Sequence, residues 1–200
     1  MFDIYENFFP FRFLSLLILI IFYGIYFTKM FIQRSKGIKT NQIGSRKEKT
    51  LHKVEIIMSI ATYCVVLAEV LSIILGWKLI KINIIRIIGV CLGFLGDLIF
   101  LIAIVSMRDS WRAGIPEKDK TNLICHGIYA ISRNPAFLGF DLVYIGIALM
   151  YTNPISIVFS LFAIVMLHLQ ILQEEKFMGK TFKDEYLIYK SKVNRYIGKK

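Results

Sequence analysis

Residues 135–173 read PAFLGFDLVYIGIALMYTNPISIVFSLFAIVMLHLQILQ, two apolar runs parted only by Thr152-Asn153. A Thr-Asn pair ahead of Pro154 signals a tight turn, so the runs 135–151 and 154–173 are predicted to be antiparallel neighbouring helices. Each approaches the ~20 residues needed to cross a hydrocarbon core. Three further runs of similar character precede them, at Phe11 to Ile32, about Val54 to Gly76 and about Ile84 to Met107. The expected fold is all-α: an integral-membrane bundle of about five transmembrane helices. Residues 1–107 supply three of them, and 108–200 form a functional region within the same structural domain.

Composition agrees. The 200 residues are 56% hydrophobic with mean hydropathy +0.60, above the ~45–50% apolar content of soluble domains. The formal charge of +11 is confined to loops and tail, which fits positive-inside bias and attraction to anionic lipid and gives no reason to invoke nucleic acid. Cys64, Cys91 and Cys125 form no CxxC pair, which argues against a disulfide framework or a zinc site. The chain opens with Asp3 and Glu6 and shows no basic n-region or cleavage site, so the first run is expected to be a retained helix.

Basic residues cluster on one side. Residues 34–53 carry Arg34, Lys36, Lys39, Arg46, Lys47, Lys49 and Lys53, and the loop 108–135 carries Arg108, Arg112, Lys118, Lys120 and Arg133. The tail adds eight more, against Arg12, Lys78, Lys81 and Arg86 opposite. The N-terminus is therefore expected outside and the 108–135 loop and tail in the cytoplasm, where a nucleotide-derived cofactor is available.

Two polar islands bracket the 135–173 hairpin. The first, Gly127-Ile-Tyr-Ala-Ile-Ser-Arg-Asn-Pro135, ends in a good helix start, because Asn caps and Pro suits the first helical position. The free N–H groups there, with Arg133 beside them, suit a carboxylate or phosphate; otherwise Arg133 anchors the helix at the headgroups. The second island opens with Glu174-Glu175, suited to a cationic ligand or a ribose. Phe182, Tyr186, Tyr189, Val193 and Tyr196 then recur at spacings of four, three, four and three. That stripe predicts an amphipathic helix lying on the membrane, and its tyrosines are candidates to cap a pocket.

Glu69, Asp97 and Asp141 fall inside apolar runs, where charge is costly; helix pairing and substrate contact both explain such residues. Gly89, Gly93 and Gly96 are expected to serve close helix packing, since no strand precedes them. His126 adjoins the first island and is a ligand candidate; His52 and His168 are taken as structural. Trp77 and Trp111 suit an aromatic belt.

The segments Ser110-Trp-Arg-Ala-Gly, Leu123-Ile-Cys-His-Gly-Ile-Tyr129, Ser132-Arg-Asn-Pro135 and Gly139 resemble the isoprenylcysteine carboxyl methyltransferase family. So does the tail Glu174-Glu175, Phe182, Tyr186, Tyr189, Val193, Arg195. The resemblance covers about residues 105 to 197. It implies a membrane enzyme that moves a methyl group from S-adenosylmethionine to a lipophilic or lipid-modified acceptor entering from the bilayer. The cofactor would sit in a cytosolic pocket built by the C-terminal third. Carried onto this sequence, Arg133 with Asn134 and Pro135 would bind the cofactor's carboxylate, and Glu174 and Glu175 would face its cationic or ribosyl parts. Tyr129, Tyr186 and Tyr189 would stack on it, and the backbone around Leu123, Cys125, His126 and Gly127 would hold the adenosyl group. Catalysis would involve Arg133, with Glu175 or Asp141 as base where the acceptor is an amine or phenol. Three positions depart from the family: Asn134 replaces a His, Lys183 a Gly, and Gln170 an Arg. The alternatives are a phospholipid or other lipid amine N-methyltransferase, an NADPH-dependent membrane reductase and a non-enzymatic membrane subunit. The expected location is a prokaryotic plasma membrane.

Overall fold

The computed structural model describes residues 9–45, 49–80, 82–115 and 121–200. Asp3, Glu6, Arg46, Lys47, Lys81, Lys118 and Lys120 lie outside the described residues. Five helices carry the fold: α1 (Phe9–Ser35), α2 (Lys49–Leu75), α3 (Asn83–Met107), α4 (Pro135–Met150) and α5 (Pro154–Lys192). Four of them are long and apolar enough to cross a membrane; α4, with 16 residues, is a shorter apolar helix. The outward faces are apolar: Phe13, Ile20, Leu67 and Val158 are each at least 58% exposed, whereas Glu69, Ser72 and Asp97 are buried. That polarity is inverted relative to a soluble domain, and the chain is a multi-pass membrane protein.

α3 and α4 pack backbone to backbone. A Cβ at Gly89 would lie 2.5 Å from the Gly146 carbonyl oxygen, and one at Gly96 would lie 2.8 Å from that of Gly139. The glycine row thus serves close packing as expected. Around this seam Phe22, Phe100 and Phe140 interlock, with ring centroids 4.5–5.2 Å apart. Trp111 was expected in an aromatic belt. It is buried instead and sits edge-on to Tyr26, 5.5 Å between centroids, because the segment that carries it folds back under α1.

The tight turn at 152–153 is doubly fixed. Asn153 caps α5 by accepting from Ser156 N at 2.9 Å, and its Nδ2 donates to Ser72 Oγ and to the Trp77 carbonyl. α2 and α5 consequently run together, as do α1 and α3, so the first three helices and the hairpin interleave in one bundle. At the opposite end Gln33 Nε2 donates to the Trp111 carbonyl, and Gln33 Oε1 accepts from Thr40 Oγ1. Gln42 N also donates to the Ala113 carbonyl, and Ala113 N to that of Thr40. The 36–45 segment is therefore a strap tied to residues 111–113.

α5 is 39 residues long, about 58 Å at 1.5 Å per residue, far more than a ~30 Å hydrocarbon core. Its apolar part ends near Gln173, and the remaining turns, with Glu174, Glu175, Lys176 and Lys180, are too polar for a hydrocarbon core. A kink at Lys183 (φ 43°, ψ −119°) redirects the last turns. The aromatic stripe differs from expectation: Tyr186, Tyr189 and Val193 are buried against Leu123, Met178 and Phe182. The kink turns this face onto the 123–132 loop and away from lipid.

Candidate functional site

The site begins where the chain reverses into α4. Gly127, at φ +62°, opens a 3₁₀ turn, Gly127–Ala130, that a side chain would strain. Ser132 Oγ then accepts from Asn134 N at 3.1 Å, and Pro135 takes the first helical position. Asn134 makes no side-chain cap, contrary to expectation. Its Nδ2 donates to Glu175 Oε1 (3.4 Å) and the Arg195 carbonyl (3.2 Å), joining the helix start to α5 and the tail.

Glu175 is the centre of this junction. Arg133 Nη2 lies 3.1 Å from its Oε1, while Arg195 Nε and Nη2 each donate to the carboxylate at 3.0 Å. Arg133 Nη1 donates to Tyr186 Oη at 3.2 Å. Burial raises the Glu175 carboxyl, but the Arg195 hydrogen bonds and the Arg133 charge outweigh it and hold its pKa below the usual value. Arg195 moves the opposite way, raised by its bond to Glu175. The tail is pinned by backbone as well: Arg133 N donates to the Asn194 carbonyl and Gly198 N to that of Ile131. Tyr189 Oη donates to the Tyr129 carbonyl at 2.7 Å. Burial first, and the Glu175 charge second, push Tyr186 up to about 12, so this wall stays neutral.

Above the junction lies a cavity of about 130 Å³. Leu123, Tyr129, Arg133, Asn134, Glu174, Glu175, Tyr186 and Tyr189 all line it, which brings residues from both polar islands together. Arg133 Nε is buried without a hydrogen-bond partner there. That orphan donor suits a carboxylate or phosphate oxygen. Cys125 and His126 are exposed, Gly127 and Pro135 shape the turn, and none of the four lines the cavity. Asp141 is buried in α4, lines neither cavity, and its Oδ1 has no partner among the described residues.

A second cavity, about 380 Å³, adjoins the first. Trp111, Arg112, Gly114, Ala136, Phe137 and Glu174 line both. Its remaining wall is largely apolar and aromatic, with Tyr23, Tyr26, Phe27 and Tyr63 from α1 and α2; Phe27 and Tyr63 are 60% and 71% exposed on the lipid side. Sequence reasoning missed this chamber, because its lining is scattered over every helix but α4's far end. It also missed the Arg195 anchor, visible only as one member of the tail pattern, and the bond of His168 Nδ1 to Tyr196 Oη at 2.6 Å.

Comparison with known proteins bears on this geometry. The profile of the phospholipid methyltransferase family matches residues 70–185. A protein-S-isoprenylcysteine O-methyltransferase of Saccharomyces cerevisiae is 33% identical over 110 residues, 54% of this chain and 46% of the relative. A probable protein-S-isoprenylcysteine O-methyltransferase of Oryza sativa subsp. japonica is 32% identical (54% and 58%). Protein-S-isoprenylcysteine O-methyltransferase A of Arabidopsis thaliana is 30% identical (52% and 55%). The chain thus spans about half the length of the curated relatives it matches. The profile match, however, takes in more than half of the chain itself, from the later turns of α2 to the cavity-lining stretch of α5, and on that ground the chain belongs to the phospholipid methyltransferase family.

Proposed function

We propose that the chain is an S-adenosylmethionine-dependent methyltransferase with a lipophilic acceptor, working at the membrane face that carries its basic segments. The observation that carries the reading is the buried, unpartnered Nε of Arg133 in a cavity that abuts a larger aromatic one. The residues fit the cofactor. Arg133 Nε supplies a donor for a carboxylate, and Tyr129, Tyr186 and Tyr189 supply neutral aromatic surface for a purine or a sulfonium cation. Bound there, the cofactor would supply an electrophilic methyl group.

The protein's own part is positioning and exclusion of water. Glu175 holds Arg133 and Arg195 in place; a carboxylate kept below its usual pKa between two cations suits anchoring better than proton abstraction. Glu174, which lines both cavities, stands between cofactor and acceptor. The aromatic second cavity gives the acceptor a dry chamber, in which a nucleophile sheds its hydration before reacting. The cytoplasmic placement of the site follows from the excess of Lys and Arg on its side, and a bacterial or archaeal plasma membrane remains our assignment for the host membrane. The relatives' names point to a carboxylate acceptor and the family's name to a phospholipid.

Calorimetry with S-adenosylmethionine on the purified full chain tests the reading. Wild type should bind at micromolar concentration. Arg133→Lys, which keeps a charge for Glu175 but deletes Nε, and Glu174→Gln should each weaken binding at least tenfold, about 1.4 kcal/mol. A folded wild type that binds no S-adenosylmethionine would overturn it.

A further inference from the structure

A third cavity, about 620 Å³, lies between the end of α1 and the strap that follows it. The local sequence builds it by reversal. Gly37, at φ +74°, lets Gly37 N and Ile38 N donate to the Arg34 and Gln33 carbonyls at 3.0 and 2.9 Å, a Schellman stop that turns the chain back beside the helix. Thr40 then bonds to Gln33, and Asn41 pairs with Ala113, which fixes the strap. One wall of the cavity is apolar, with Phe27, Met30 and Phe31; Phe27 and Phe31 are 60% and 75% exposed. Beyond it stand Arg34 and Lys39, both exposed and neither paired with a carboxylate among the described residues. Lys36, in the same turn, is instead held by Asp109 at 3.0 Å. No acidic residue lines this cavity.

We infer that this cavity holds one anionic phospholipid from the leaflet on the side of the basic segments, its phosphate between Arg34 and Lys39 and an acyl chain against Phe27 and Phe31. The inference stands apart from the methyltransferase reading, because this lipid is held as a ligand and is not methylated. Depth is the first reason. The apolar run of α1 ends at Ile32, so Arg34 sits at the headgroups, and Phe31 and Phe27 lie one and two turns deeper on the same face. Charge is the second. A phosphodiester with one net negative charge answers two unpaired cations, and a guanidinium takes phosphate oxygens in a bidentate fork. A zwitterionic headgroup would bring its own cation to a place that already holds two. The helix end does not oppose the anion, since the Ile32, Gln33 and Arg34 carbonyls already accept from Ser35 Oγ, Ile38 N and Gly37 N. A soluble phosphate would satisfy the cations but leave both rings uncovered. Phe27 and Asn41 also line the aromatic chamber, so a lipid seated here pins the strap that forms part of that chamber's wall.

The purified full chain in a nonionic detergent would be titrated with phosphatidylglycerol (which has no amine), with phosphatidylcholine and with glycerol 3-phosphate, and bound molecules counted by native mass spectrometry. Phosphatidylglycerol should bind at a concentration at least about tenfold below phosphatidylcholine, and glycerol 3-phosphate should not bind in that range. Arg34→Gln combined with Lys39→Gln should weaken phosphatidylglycerol at least about tenfold. Lys49→Gln combined with Lys53→Gln removes the same charge from exposed positions of α2 outside the cavity, and should change binding less than about threefold. Phe31→Ala should weaken the lipid by removing its apolar contact. Thermal unfolding would verify that each variant is folded. Hydrogen exchange then locates the ligand: phosphatidylglycerol should slow the amides of residues 36–43 in wild type and leave them unchanged in the Arg34 and Lys39 variant. Phosphatidylcholine or glycerol 3-phosphate binding as tightly as phosphatidylglycerol, equal losses in the two double variants, or a wild-type strap that gains no protection would each overturn the inference.

Discussion

Replacing Glu175 by Gln keeps the size of the side chain and removes the one negative charge that faces two arginines. Arg133, with a side chain 5% exposed, would lose its 3.1 Å partner. Breaking a buried pair by deleting one member costs about 3–5 kcal/mol, because the survivor stays buried and uncompensated. Arg195 is 33% exposed and can turn to solvent, so its share is only about 0–1 kcal/mol. The amide oxygen of the new Gln can still accept one of the lost bonds, which places the total near the lower figure, about 3 kcal/mol. For a chain of this size that corresponds to a fall of roughly 6–12 °C in melting temperature, taking 2–4 °C per kcal/mol from soluble proteins. Thermal unfolding in nanodiscs, with protease digestion of the 193–200 tail in parallel, would read both the stability and the loosened anchor. The adjacent Glu174→Gln, which keeps an acceptor for Gln170 Nε2 at 3.1 Å, is the comparison; its melting temperature should stay within about 2 °C of wild type. The pH profile adds a sign. A carboxyl whose pKa is lowered on folding contributes stability that is full above its ordinary value of 4.5 and is lost as pH falls through the lowered value. Wild type should therefore be level across the neutral range and lose this contribution under acid, and Glu175→Gln should lack that component. A Glu175→Gln protein as stable as wild type, or less perturbed than Glu174→Gln, would refute the assignment of Glu175 as the anchor.

Gly146→Ala should disturb the α3–α4 seam, since the added Cβ would sit 2.6 Å from the Gly89 carbonyl oxygen and 2.8 Å from Gly93 N; both are backbone and cannot swing aside, so about 1–3 kcal/mol should be lost in a melting experiment. Lys183→Gly should do the reverse, because φ 43° is a conformation that only glycine adopts without strain; a gain of about 1 kcal/mol is expected, and a loss would mean that the lysine side chain holds the kink. Tyr189→Phe would strand the Tyr129 carbonyl that its hydroxyl now satisfies at 2.7 Å, costing about 1 kcal/mol and exposing the 123–132 loop to faster hydrogen exchange.

Much of the architecture was legible because a bilayer dictates it. Apolar runs of membrane-spanning length have one stable outcome, and the Thr152-Asn153-Pro154 turn sets the direction of the hairpin. Both polar islands were legible for a related reason: charge beside a membrane helix has few tolerable places, so Arg133 and the Glu174-Glu175 pair declared themselves. Helix lengths also brought the islands to one membrane face.

Tertiary structure decided what each charged group does. Two adjacent acids look alike in sequence, yet the 100° turn between helix neighbours aims Glu175 at Arg133 and Arg195 and leaves Glu174 on the wall between two cavities. Asn134 had the position and chemistry of a cap but was drawn into the same junction by the tail folding over it. The aromatic stripe gave the correct face but could not reveal what that face meets, because periodicity records a preference to leave water and not the identity of the partner. The chamber lined by Trp111 and Gln170 is a property of gaps among five helices. A gap depends on how side chains far apart in the chain fail to fill space, and no local pattern encodes it.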